Sequence, residues 1–96
     1  MWKIAITITV AGTLEDVLPK KRSIQNNLKQ LTGADRVDTQ IVGGSVVIDA
    51  LILFDRARLA EARDGRAILM ESDLSSELML DVESVTPPSD PSLVPS

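Results

Sequence analysis

The chain has 96 residues, 44% of them hydrophobic and 25% charged, with a formal net charge of −4. That suits one small soluble domain with an aliphatic core, since Trp2 and Phe54 are its only aromatics. The acidic balance argues against nucleic acid as a partner, because phosphate binding needs a basic surface and base stacking needs aromatics. Cysteine and histidine are both absent, which excludes a disulfide scaffold and a cysteine metal site. It also removes the commonest general base and the usual activator of a nucleophilic serine.

Residues 3 to 11 alternate: Ile4, Ile6, Ile8 and Val10 face one way, Lys3, Ala5, Thr7 and Thr9 the other. This predicts a strand with one wet face. After Gly12-Thr13, either Thr13 or Asp16 can cap a helix, and Pro19 is tolerated in a first turn. Ile24, Leu28 and Leu31 follow at helical spacing and Gly33 supplies a stop, so a helix is expected from about 17 to 32. Lys20, Lys21 and Arg22 read as its solvated face.

Arg36 to Val42 and Ser45 to Phe54 are two runs of strand chemistry. Gly43-Gly44 between them predicts a hairpin, and two glycines suit a type I′ turn with positive φ at both central residues. Val46, Ile48, Ala50, Ile52 and Phe54 form the inward face of the second run, and Val47, Leu51 and Leu53 on its other face suggest a central strand. Asp55 is the expected cap of a second helix, with Asp64-Gly65 interrupting it. Arg56, Arg58, Arg63 and Arg66 lie there with Glu61 and Asp64, which predicts intrahelical ion pairs. Glu77 to Val85 reads as a last strand, with Leu78, Leu80 and Val82 inward. Residues 87 to 96 form a Pro/Ser-rich tail beyond a domain of residues 1 to 86. The tail is expected to lack regular hydrogen bonding from Thr86 onward and to be held by Leu93 and Val94.

The order strand, helix, strand, strand, helix, strand predicts an α+β, ferredoxin-like βαββαβ sandwich: a four-stranded antiparallel sheet with two helices on one face. Thr7, Thr9 and Asp81 are expected on the open face. Asp49, Asp81 and Glu83 have no loop spacing suited to a cation, so no metal and no cofactor is expected. Gly12-Thr13-Leu14 does not make a phosphate cradle of the acylphosphatase kind. No run is long enough to span a bilayer, and Met1-Trp2-Lys3 leads into alternation rather than a signal-peptide core.

Gly44-Ser45-Val46-Val47-Ile48, at the hairpin before the central strand, resembles the cleavage motif of SEA domains. Residues 38 to 54 and the run from Glu77 to Ser92 resemble that family's strands more loosely. The resemblance implies that Ser45 attacks the carbonyl of Gly44, that an N-to-O acyl shift gives an ester, and that water hydrolyses it. Turn strain would stand in for the missing histidine. The second glycine, Gly43, departs from the motif and relaxes such strain, and no N-glycosylation sequon is present. An uncleaved hairpin in a non-catalytic structural or interaction module is therefore expected, with single-turnover self-cleavage at Gly44-Ser45 as the most chemistry the chain performs. The resemblance implies an extracellular or cell-surface setting. The alternative is a small intracellular ferredoxin-like module in a larger assembly. In either case the partner is a protein, or a second copy, at the sheet face or an edge strand.

Overall fold

The computed structural model describes residues 1–94. Its elements in chain order are β1 (Trp2–Val10), α1 (Leu14–Val17), a 3₁₀ turn (Leu18–Lys20), α2 (Lys21–Thr32), β2 (Arg36–Val42), β3 (Val46–Phe54), α3 (Leu59–Glu71), α4 (Leu74–Leu78), β4 (Val82–Val85) and β5 (Ser92–Leu93). The fold is α+β. The strands form one antiparallel sheet in the order β2-β3-β1-β4, with β5 also paired to β1. The helices lie on one side.

Alternation sets the sheet. β1 pairs with β3 over its whole length, from Trp2 opposite Phe54 to Val10 opposite Val46. Ile4, Ile6, Ile8 and Val10 therefore share a face with Val46, Ile48, Ala50, Ile52 and Phe54, and all nine are buried under the helices. Val17 of α1, Ile24 and Leu28 of α2, Ala34, Val37 of β2, Ala62 and Leu69 of α3, and Leu74 and Leu78 of α4 complete the core.

The first helical stretch begins at Leu14, earlier than the apolar spacing alone suggests. Thr13 caps it, accepting from the Asp16 amide, while the Asp16 carboxylate accepts from Thr13 in return. Pro19 is accommodated in the 3₁₀ turn that joins α1 to α2. Gly33 ends α2 in the left-handed conformation, with φ of 74°.

Two expectations for the second helix fail. Asp64-Gly65 does not interrupt the second helix: α3 runs unbroken from Leu59 to Glu71. A Cβ on Gly65 would stand 2.9 Å from Phe54 Cζ and 3.0 Å from the Thr32 carbonyl oxygen, so the glycine serves close packing rather than a bend. Asp55 is not its cap. It makes a turn before the helix, its carboxylate accepting from the Ala57 amide and its carbonyl from the Arg58 amide.

The expected strand from Glu77 is instead split. Leu74–Leu78 is helical, capped by Asp73, and Met79 turns the chain with φ of 55°. Only Val82–Val85 joins the sheet, with an irregular register where β1 passes from Thr9 to Val10. The tail also departs from expectation. It continues along the outer edge of β1: Thr86 N–H donates to Thr7, Ser89 N–H to Ala5 and Val94 N–H to Met1. Ser89 Oγ accepts from the Ala5 amide, and Ser92 pairs with Lys3. Backbone bonds through the non-proline positions thus hold the tail, with Pro88 buried. Leu93 stays 45% exposed and Val94 is half-buried, so side-chain docking has the smaller part. Pro95 and Ser96, which the tail expectation also covers, lie outside the described residues.

Candidate functional site

Two places were singled out by residue chemistry: the β2–β3 turn carrying Gly44 and Ser45, and the sheet face away from the helices. The turn is where the hairpin expectation puts it. Val42 pairs with Val47, which leaves the four residues 43 to 46 between the paired positions. That length changes the turn chemistry. Only Gly44 has positive φ, at 91°, and Gly43 does not, so the type I′ turn is not formed. A Cβ on Gly43 would stand 3.2 Å from Leu14 Cδ2, which packs the turn against the start of α1.

Gly44 and Ser45 are both exposed. Glycine adopts this positive φ at little cost, and nothing stands within 4 Å of a Cβ built on Gly44. The Ser45 hydroxyl has no hydrogen-bond partner among the described residues. An acyl shift from this serine would need the Gly44 carbonyl to be strained toward it and a group to take the hydroxyl proton. The four-residue loop supplies neither an orienting contact nor a base.

The open face is ordered in rows by register. Val42, Val47 and Thr9 form one row, and Gln40, Asp49 and Thr7 the next. Asp38, Leu51 and Ala5 follow, then Arg36, Leu53 and Lys3. Val42 and Leu51 remain about two-fifths exposed, at 40% and 39%. Thr7 Oγ1 donates to Asp49 Oδ1 at 2.9 Å, and Arg36 pairs with Asp38 at 3.0 Å. Asp38 is thus paired with a cation and Asp49 hydrogen-bonded by a hydroxyl, with small apolar patches between them. Asp81 is exposed just before β4, and its carbonyl accepts from the Ala11 amide, which carries the β1–β4 pairing one residue further. Ser84 stands opposite Thr9 in the same edge strand. Asp49, Asp81 and Glu83 do not converge, and among the described residues no three acidic side chains gather to hold a metal ion.

Arg58 and Arg66 pair outward rather than along their helix, and Arg56 and Arg63 make no ion pair among the described residues. Arg66 donates to the Pro88 carbonyl at 3.1 Å and lies 3.4 Å from Asp90, which ties α3 to the tail. Arg58 bonds Asp35 at 2.8 Å and the Gly33 carbonyl at 3.0 Å, and its guanidinium stands 5.5 Å from the centre of the Phe54 ring. Sequence reasoning missed this cluster, because Asp35 and Arg58 are far apart in the chain and share no periodic pattern.

The Asp35 carboxyl is held below its ordinary value of 3.8. The Asp55 amide bonding it is the largest cause; desolvation opposes, and Arg58 and Lys29 add to the lowering. A depressed folded-state pKa stabilises the fold above the unfolded value, and that stability is lost as pH falls through the folded value. Asp35→Asn is therefore expected to be less stable than the native chain at pH 7 by a few tenths of a kcal/mol and at most about 1, the scale of a solvent-screened pair. The gap should close in acid. Urea midpoints at pH 7 and below pH 3 check this; an equal gap at both would contradict it.

Comparison with protein-family models, with curated proteins and with solved structures finds no match. No helix among the described residues is long and apolar enough to cross a membrane.

Proposed function

We propose that the chain is a non-catalytic interaction module of ferredoxin-like βαββαβ architecture, resembling SEA domains, that associates with protein through its open sheet. The observation that carries this is the sheet face bare of helices, on which Val42 and Leu51 stay about two-fifths exposed. The strand order β2-β3-β1-β4, with helical segments after β1 and after β3, supports the ferredoxin-like assignment. Apolar patches among mixed polar groups of both signs suit a protein surface better than a phosphate-bearing or metal ligand. The module turns over no substrate.

A lysine at Leu51 together with a glutamate at Thr9 tests the face. Photo-cross-linking the chain in an extract of the cells that make it should yield adducts with the native chain and lose most of them with the double variant. Identical adducts from both would contradict the proposal.

Self-cleavage between Gly44 and Ser45 is the second reading, favoured by a serine that follows a positive-φ glycine in an exposed turn. Ser45→Ala would abolish fragments arising from it and leave the fold intact. Ser45→Cys would retain some, because a thiol can make the same shift. Fragments from the alanine variant would refute the mechanism.

A further inference from the structure

The two edges of the sheet are not alike. On the β1 side, β4 and the tail occupy the edge from Val10 down to Met1. On the other side β2 is terminal and pairs only with β3 among the described residues. A seven-residue strand end to end, about 24 Å long, thus leaves its outer backbone groups without a strand partner, the feature that templates strand addition.

One side chain on that edge is also unfinished. Thr39 is the middle residue of Arg36–Val42, and its Oγ1 is buried with no hydrogen-bond partner. A buried hydroxyl left unpaired carries a desolvation cost of about 1–3 kcal/mol. Resting on the reading of the chain as an interaction module, we propose that β2 pairs antiparallel with β2 of a second copy, about a two-fold axis at Thr39, to give one continuous sheet.

Three observations converge on that register. It is the only antiparallel self-pairing that engages all seven residues, because the axis must pass through the middle one. It sets the two Thr39 side chains directly opposite each other on the helix-covered face, where a turn about χ1 brings each buried hydroxyl to the edge and lets one donate to the other. It also places Asp38 opposite Gln40, Val37 opposite Ile41 and Arg36 opposite Val42, so no like charges meet. Moving the axis one residue toward the start of β2 would set Asp38 against Asp38, a destabilising arrangement. The short edge predicts a weak association, in the size class of transient contacts.

Sedimentation of the full chain from about 10 μM to about 1 mM, a span suited to so small an interface, tests the proposal. The native chain should shift from monomer to dimer across it. Gln40→Lys faces Asp38 of the second copy and should tighten the dimer, while Gln40→Asp should loosen it. Each change should lie between about twofold and thirtyfold, the range of two cross-strand charge pairs per dimer. Gln40 is exposed, so neither variant disturbs the core.

The absence of cysteine allows a second measurement. Under oxidation Thr39→Cys should form a disulfide dimer faster than Asp38→Cys or Gln40→Cys, although Thr39 is the less exposed position. A chain that stays monomeric, a dimer that ignores both Gln40 variants, or cross-linking that merely follows exposure would overturn the proposal. A dimer lost with the Leu51 and Thr9 double variant but indifferent to Gln40 would overturn edge pairing and leave the face as the interaction surface.

Discussion

Gly65→Ala is expected to destabilise the fold by roughly 2 kcal/mol, against the gain of up to about 1 kcal/mol that alanine usually brings to a helix interior. The two effects oppose each other, and geometry decides between them. The new methyl would stand 2.9 Å from Phe54 Cζ and 3.0 Å from the Thr32 carbonyl oxygen. The oxygen belongs to the end of α2, and Phe54 is fully buried. Neither can swing aside as a surface side chain does, so α3 must lift away from α2 and β3. Gly65→Leu demands a larger displacement and should prevent folding. Urea denaturation reads both variants. An alanine variant more stable than the native chain would mean that α3 sits farther from Phe54 than described.

Phe54→Ala should cost about 3–5 kcal/mol, the range for emptying an aromatic site in a core. For a domain of this size that is a large share of the total. Phe54 is the largest of the fully buried side chains, and the Arg58 guanidinium lies over its ring. Its removal leaves a void between β3 and α3 and takes away the platform beneath Arg58. Phe54→Leu is the informative partner: it removes the ring atom nearest Gly65 but keeps an apolar side chain. In the Gly65→Ala background the leucine should therefore cost less than it does alone, by about 1 kcal/mol, as expected for residues in contact. The Thr32 oxygen stays in place, so the rescue should be partial. Strict additivity in thermal or urea unfolding would argue that the two positions do not touch.

The same two residues show what was legible in the sequence. Phe54 ends a clean period-2 run, and its burial follows from alternation alone. Gly65 beside Asp64 reads locally as a break, and only the approach of α2 and β3 shows why glycine is there. The last third of the chain divides similarly. Leu78, Leu80 and Val82 fit strand alternation, yet Leu74 and Leu78 also fit a helical turn capped by Asp73, and the core beneath α2 selects the helix. In the tail, Pro87, Pro88 and Pro91 argue against regular pairing, while Ser89 and Ser92 between them still bond β1.

The candidate site was legible in position and not in shape. Two strand-like runs around Gly43-Gly44 locate the hairpin, but the pairing of Val42 with Val47 fixes a four-residue loop. That difference matters chemically, because a base-free acyl shift would depend on strain in this turn. Rows of residues on the open face follow from the alternation of β1 and β3. Neither the unpartnered Thr39 hydroxyl nor the Asp35–Arg58 cluster has a sequence signature, since both arise from contacts between distant segments.

On the proposed reading the sheet has the working role and Ser45 carries no chemistry. The intact mass of the purified chain, kept for days at neutral pH, tests that claim most directly. It predicts one species of 10.4 kDa. Two associated fragments meeting between Gly44 and Ser45 would contradict it and make the turn a self-cleaving site.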